Sequence, residues 1–221
     1  MSQTIWIARH ANRQDFVNPE WFLTAERRYD PPLSEDGFVQ AQQLAQRLQG
    51  EKIHHIFASP FLRTVQTANA VAEMLDLSIK LETGLSEWLN PVWMAEEPKK
   101  LSISALKELY PRVDTSYTSR IAVNFPEEFE EEVQQRSGQT ARCLADEFSP
   151  DNILLVGHGA SVNGAAIGLA GSGIYNGARV RLCSLFQLVR KSSNQEYLNW
   201  ELLLTGDTSH LGEVEEIVRL N

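Results

Sequence analysis

Two histidines in this chain each close an apolar run. Thr4–Ala8 (TIWIA) ends in Arg9-His10, and Ile153–Gly157 (ILLVG) ends in His158. A third run, Ile53–Ala58, leads into Ser59-Pro60 with Arg63 just beyond, and Ser78–Leu81 is followed shortly by Leu85-Ser86-Glu87-Trp88. None of these polar residues is informative alone. Their shared position is, because ligands of an open α/β sheet gather beyond the carboxyl ends of its strands. Two or three guanidiniums around one point bind a tetrahedral oxyanion, most often phosphate, through paired hydrogen bonds. A histidine beside that phosphate can attack phosphorus if the attacking nitrogen is unprotonated. The other ring nitrogen must then be held as a donor, typically by a backbone carbonyl. A second histidine, if protonated, would hold the equatorial oxygens as charge builds there. A carboxyl group would protonate the leaving oxygen and later activate water. Glu87 is the candidate, and anionic neighbours are expected to raise its pKa toward neutrality.

The elements that must position these groups follow from hydrophobic spacing. Thr4–Ala8 predicts a buried strand. A polar, aromatic-rich loop runs from Ala11 to Leu33. Ser34 then reads as an N-cap with Glu35 and Asp36 in the first turn, and Phe38, Ala41, Leu44, Ala45 and Leu48 repeat at helical spacing until Gly50. Ile53–Ala58 is a second strand, after which Ser59-Pro60 is expected to cap a helix with Val65, Ala68, Val71, Ala72 and Leu75 as its stripe. Ser78–Leu81 is a third strand. This β-α-β-α-β order implies parallel strands joined by right-handed crossovers. From Asn90 to Pro126 the rhythm breaks, with one helix expected at Ser102–Tyr110; the segment reads as an insertion or lid. Glu127–Phe148 predicts a long helix whose first glutamates form a solvated N-terminus. A central strand at Asn152–Gly157, a small-residue helix at Ala160–Leu169, and strands at Ser184–Val189 and Trp200–Leu204 complete the chain, with a polar turn at Lys191–Glu196.

Composition limits the partners. The 221 residues fit one domain, perhaps with an inserted lobe, and 43% hydrophobic with 22% charged residues is ordinary for a globular chain. The formal net charge is −9. Such a chain is a poor binder of nucleic acid or of anionic membrane. An anion must therefore be held by a local cluster that opposes the global field, with the acidity, notably Glu127 to Glu132, lying away from it. Cys143 and Cys183 form no CxxC pair, which argues against a disulfide framework or a cysteine zinc site. MSQTIWIARHANRQD has no signal-peptide pattern, so a cytoplasmic location is expected.

The ordered motifs carry a resemblance. Arg9-His10, PPLSEDGFVQA (31–41), ASPFLRTVQTA (58–68), LSEW (85–88) and VGHG (156–159) follow the order and spacing of the histidine phosphatase superfamily, the phosphoglycerate-mutase-like family. The resemblance runs from residue 4 to about residue 170 and is weak from 91 to 126. It implies a three-layer α/β/α sandwich with a mostly parallel sheet. It also implies a metal-independent phosphohistidine mechanism and no cofactor. His10 would be the nucleophile, Arg9, Arg63 and His158 the phosphate pocket, and Glu87 the proton donor. The activity implied is that of a histidine acid-type phosphatase, acting on a small phosphorylated substrate or a phosphopeptide, as a monomer or homodimer. The usual Arg-His-Gly-Glu/Gln-Ser/Thr reads Arg9-His10-Ala11-Asn12-Arg13 here. Arg13, with Pro19-Glu20-Trp21 and Tyr29-Asp30-Pro31-Pro32, looks like the phosphatase branch of the T-cell ubiquitin-ligand proteins.

Other readings stand beside these. Arg13 could serve the phosphate or pair with Asp15 or Glu20. Trp21, Trp88 and Trp93 could line a cleft or pack the lid. His54-His55 and His210 read as surface or turn residues. Ser161 fails the GxSxG elbow because Asn163 replaces the second glycine. A phosphoglycerate-mutase-type phosphotransferase would use the same pocket, aided by basic residues among Lys99, Lys100, Lys107, Arg112 and Arg120. A weakly active phospho-ligand module is motivated by Ala11-Asn12.

Overall fold

The computed structural model describes residues 2–171, 179–191 and 200–212. Among these residues six strands form one sheet in the order β3-β2-β4-β1-β5-β6. They are β1 (Thr4–Arg9), β2 (His55–Ala58), β3 (Ile79–Leu81), β4 (Ile153–Gly157), β5 (Leu185–Arg190) and β6 (Trp200–Asp207). The first four pair in parallel; β5 and β6 run antiparallel on the far side of β1. The mostly parallel α/β/α architecture read from the sequence is the one observed. Most of the expected Lys191–Glu196 turn lies outside the described residues.

Alternation along the central strands sorts the core into two layers. Trp6, Ala8, Leu154 and Val156 face α3 (Glu35–Leu48) and α4 (Leu62–Leu75). Ile5, Ile7, Ile153 and Leu155 face α6 (Glu130–Glu147) and α7 (Gly159–Ala170). A strand buried on both faces must be apolar at every position, which is why ILLVG reads as a continuous run. Two short helices, α1 (Gln14–Val17) and α2 (Trp21–Thr24), lie in the loop after β1. The segment from 90 to 126 carries only α5 (Ile103–Leu109), capped by Ser102 through the Ala105 N–H, and a bridge from Val113 to Ile79 at the sheet edge. Among the described residues no helix is long and apolar enough to cross a membrane.

Two expected helix starts are corrected. Ser34 caps α3 as anticipated, accepting from Gly37 N at 3.3 Å. Ser59-Pro60, however, does not cap α4. That helix starts at Leu62, and its first N–H donates to Asp30 Oδ1 at 2.7 Å. A buried carboxylate from a distant loop thus satisfies a helix end and frees Ser59 for another partner. Likewise α6 starts at Glu130, and Glu127 is buried rather than solvated, because it pairs with Arg136 at 2.6 Å. The remaining histidines are structural. His54 Nδ1 accepts from Asn152 N, His55 pairs with Asp151, and His210 is half-buried and donates to Cys183 O at 3.0 Å rather than lying on the surface.

The closest packing is between α6 and α7. A Cβ on Gly168 would come within 2.3 Å of Gly138 Cα, and one on Gly164 within 2.5 Å of Gln134 Cα. Only hydrogens fit there, so α7 lies against α6 and its N-terminus is fixed at the edge of the sheet. Alanine is favoured over glycine in a helix by about 1 kcal/mol. Gly168→Ala should nonetheless destabilise the fold by about 1–2 kcal/mol, because overpacking against backbone outweighs the propensity gain. Gly50→Ala, where an added Cβ meets nothing within 4 Å, should instead stabilise by about 0.4–1 kcal/mol. Urea unfolding midpoints of the two variants check the opposite signs.

Candidate active site

The site lies where β1, β2 and β4 end. His10 follows β1 and is fully buried. Its Nδ1 is 2.7 Å from Ala11 O, so Nδ1–H donates to that carbonyl. The tautomer this imposes leaves a lone pair on Nε2, which is buried and has no hydrogen-bond partner among the described residues. Burial lowers the His10 pKa well below its usual value, and Arg63, Arg9, His158 and Arg13 push in the same direction. The ring is therefore neutral at physiological pH.

The other predicted residues converge on it. The His158 ring lies 5.3 Å from that of His10, centroid to centroid. Its Nε2 is 2.8 Å from Ser59 Oγ, and its Nδ1 is 3.4 Å from Glu87 Oε2. Burial lowers the His158 pKa to about 3 against the pull of Glu87. The protonated second histidine expected from sequence is thus not the state of the ligand-free pocket. Desolvating an imidazolium beside arginines costs more than one carboxylate returns. Arg63, on the first turn of α4, is 1% exposed and stacks over Phe61 at 4.8 Å. Its Nη2 donates to Glu87 Oε2 at 3.2 Å. Burial, with Arg13, lowers its pKa to about 10, so it remains charged. Arg9 donates from Nη1 to Val180 O at 2.9 Å.

Glu87 corrects the expectation made for it. Burial raises its pKa, but His158, Arg63 and Arg13 outweigh that, and the carboxyl is held well below the usual range. Its charged neighbours are the guanidiniums of Arg63 and Arg13, with His158 neutral beside it. Arg13 combines both readings offered for it. It forms a two-pronged pair with Asp15, Nε to Oδ1 at 2.6 Å and Nη2 to Oδ2 at 2.5 Å, and still lines the pocket. Asp15 fixes the guanidinium in place.

The Ala11-Asn12 departure has a local cause. Ala11 is fully buried and is not among the residues with positive φ, so glycine is not required there. Asn12 faces away from the site. Its Nδ2 donates to Asp36, its N–H to Gln40 Oε1, and its carbonyl accepts from Ser34 N. The loop is pinned to the start of α3 so closely that a Cβ on Gly37 would sit 2.1 Å from Asn12 O.

The pocket measures about 730 Å³. It is lined by charged groups, Arg9, Arg13, Arg63 and Glu87, by Gly159 and Ala160, and by the aromatic and apolar side chains Phe16, Phe22, Tyr29, Trp88, Trp93 and Met94. The N-terminus of α7 borders it, an arrangement that favours an anion. Trp88 and Trp93 touch edge to face at 5.0 Å. Trp21 does not line the pocket; its indole donates to Arg28 O, and Phe22 takes the place expected for it. Glu130 stands at the mouth, so the acidic run does not lie wholly away from the site. Sequence reasoning missed Ser59, read as a helix cap, and Asp30, whose partner is set by tertiary contact. His10, Glu87 and His158 offer ligand atoms within 4.8 Å of one another, enough to hold a metal ion. The surrounding guanidiniums do not fit one. The positive field that keeps His10 unprotonated would equally oppose a cation.

The chain matches the family described as "Histidine phosphatase superfamily (branch 1)" over residues 5–202. Over 97% of its length it is 28% identical to "Transcription factor tau 55 kDa subunit" of Saccharomyces cerevisiae. Over 79% of its length it is 32% identical to "Ubiquitin-associated and SH3 domain-containing protein A" of Homo sapiens. It spans only 57% and 28% of those two proteins' lengths. Among solved structures, the ecdysone phosphate phosphatase from Bombix mori, in complex with tungstate, superposes with a TM-score of 0.72. That alignment covers 91% of this chain and 92% of the other at 21% identity, a likeness of fold. Every motif that converges on the pocket lies inside the matched span, and the chain belongs to the histidine phosphatase superfamily.

Proposed function

We propose that this chain is a phosphomonoester hydrolase that passes the phosphoryl group of its substrate through His10 without a metal ion. The observation that carries the proposal is the His10 ring, tied at Nδ1 to a backbone carbonyl, with Nε2 left without a partner among the described residues and a ring nitrogen within 4.8 Å of the carboxylate of pocket-lining Glu87. Arg9, Arg13, Arg63 and His158 bind the equatorial oxygens. The Nε2 lone pair forms the N–P bond as the ester P–O bond breaks, and the departing oxygen takes a proton through Glu87. Water then attacks phosphorus, its proton goes to Glu87, the N–P bond breaks and His10 recovers its lone pair. Because Glu87 is ionised in the free enzyme, the proton arrives with the substrate. A phosphate monoanion entering the pocket can pass it to Glu87, whose pKa rises as the dianion settles beside it.

The pocket has room for more than a phosphate, since sites of about 300–1,000 Å³ enclose small-molecule ligands. We read residues 1–221 as one domain whose 90–126 segment acts as a lid, with Trp93 and Met94 as its contribution. A small phosphorylated molecule or a phosphorylated peptide side chain suits this shape, and two free thiols support a cytoplasmic setting. The mutase reading is disfavoured because three of its five basic residues are engaged elsewhere, while Lys100 lies over the Phe61 ring at 5.0 Å. Lys107 donates to Pro111 O and Val113 O, Arg112 pairs with Asp76, Arg120 pairs with Glu147, and none of the five lines the pocket. The weak-module reading loses its motive, since Asn12 serves the loop and not the phosphate.

His10→Ala should lower phosphate release from a diverse phosphomonoester panel by at least about a thousand-fold. It should also remove an acid-labile, base-stable phosphate trapped on the wild type. Conversion of 3-phosphoglycerate to its isomer without phosphate release would favour the mutase instead. The pH profile has a definite sign. As pH falls through 6.5, kcat/KM for an alkyl phosphate should not drop, because the lowered His10 pKa keeps the nucleophile unprotonated. As pH rises above the substrate's second pKa, about 6, it should fall about tenfold per unit, because the low Glu87 pKa leaves the free enzyme with no proton to give. An optimum at pH 8 would contradict this assignment.

A further inference from the structure

Glu87 is held by the backbone of residues 84–89, and the side chain gripping that backbone comes from α6. Arg136 is 8% exposed and does not line the pocket. Its Nε and Nη2 donate to the two carboxylate oxygens of Glu127 at 2.6 and 2.8 Å. Nη1 donates to Gly84 O at 2.8 Å and Ser86 O at 3.3 Å, and Nη2 also to Glu87 O at 3.2 Å. A guanidinium has five N–H donors, and here each has an acceptor. Glu127 completes the clamp from the other side. Its Oε2 accepts from Leu89 N, its N–H donates to Leu89 O, and its carbonyl accepts from the Trp88 indole.

Residues 86–89 belong to no helix or strand, so sheet bonding does not fix them. The clamp takes its place. The Glu87 carboxylate itself accepts from Trp88 N and from Arg63 Nη2, and faces His158. Arg63 orients the carboxylate, while the clamp sets where its Cα stands, and both fix its distance from the departing oxygen. Because α6 also packs backbone to backbone on α7, whose N-cap is His158, one helix sets both Glu87 and the imidazole that faces it.

We propose that Arg136, oriented by Glu127, is a positioning residue for the Glu87 proton transfer. The proposal rests on the phosphatase reading above. A side chain that merely supports the fold would lower activity on every substrate alike. A positioning residue affects those substrates that need a proton. General acid catalysis is worth about 10²–10⁴-fold where the leaving oxygen is strongly basic, and much less where it is not. The test compares kcat/KM for ethyl phosphate and for 4-nitrophenyl phosphate in wild type, Arg136→Lys, Glu127→Gln and Glu87→Gln. Lysine keeps the buried charge and loses the fork.

Arg136→Lys should lose at least tenfold on ethyl phosphate and less than threefold on 4-nitrophenyl phosphate. Glu127→Gln should also lose more on ethyl phosphate than on 4-nitrophenyl phosphate, by a smaller factor. In the Glu87→Gln background, Arg136→Lys should cost ethyl phosphate nothing further, because the group it positions is gone. Equal losses on the two substrates, or additive losses in the double variant, overturn the proposal. If Arg136→Lys does not fold, Glu127→Gln alone decides on the same substrate ratio. If Glu87→Gln itself fails to discriminate the substrates, the acid assignment of the proposed function has failed instead.

Discussion

The structure depends on confining positive charge in a place that excludes water. Arg9, Arg13 and Arg63 converge with two fully buried imidazoles at one edge of the sheet. Like charges so close repel, and burial removes the solvent that would screen them. The fold resolves this in two ways. It keeps both histidines neutral, and it supplies anchored carboxylates. Asp15 holds Arg13, Glu87 faces Arg63, and Asp30 lies 4.0 Å from Arg63 while capping α4. What remains is a pocket still positive enough to want a phosphate, with one imidazole nitrogen left bare to meet it.

The same constraint explains the tolerance of an acidic chain. The formal charge of −9 spreads over the surface, while the pocket is defined by a few charges at short range. Screening over roughly 8 Å at physiological salt separates the two scales. Glu130 at the mouth brings some of that acidity closer than the sequence pattern suggested. Its α6 neighbour Arg136 shows the complementary device. There a buried ion pair of modest net worth to stability organises a stretch of backbone that has no secondary structure of its own.

Much of this was legible in the chain. The strand-helix alternation, Ser34 as a cap and the apolar central strand follow from spacing rules that act over a few residues. So does the delivery of Arg9, His10, Arg63, Glu87 and His158 to one edge, since strand ends in a parallel sheet share a side. The failures have a common cause. Residue type makes Ser59 a cap, Glu127 a solvated glutamate and Trp21 either a cleft wall or part of the lid packing. Each reading uses residue type alone, and each is decided by a specific hydrogen-bond partner: His158 far along the chain for Ser59, but Arg136 and the Arg28 carbonyl only nine and seven residues away for Glu127 and Trp21.

By itself the sequence determined which groups could meet and the order of the elements that bring them together. Hydrophobic periodicity is local, and a crossover has one hand. Only the tertiary structure decided the protonation of those groups. The pKa of Glu87, expected to rise, is driven down because the His158 ring faces it at hydrogen-bonding range and Arg63 and Arg13 stand beside it. His158 is neutral because burial dominates its surroundings. Charge state depends on distance and desolvation in three dimensions, and neither quantity is written in the spacing of residues along a chain.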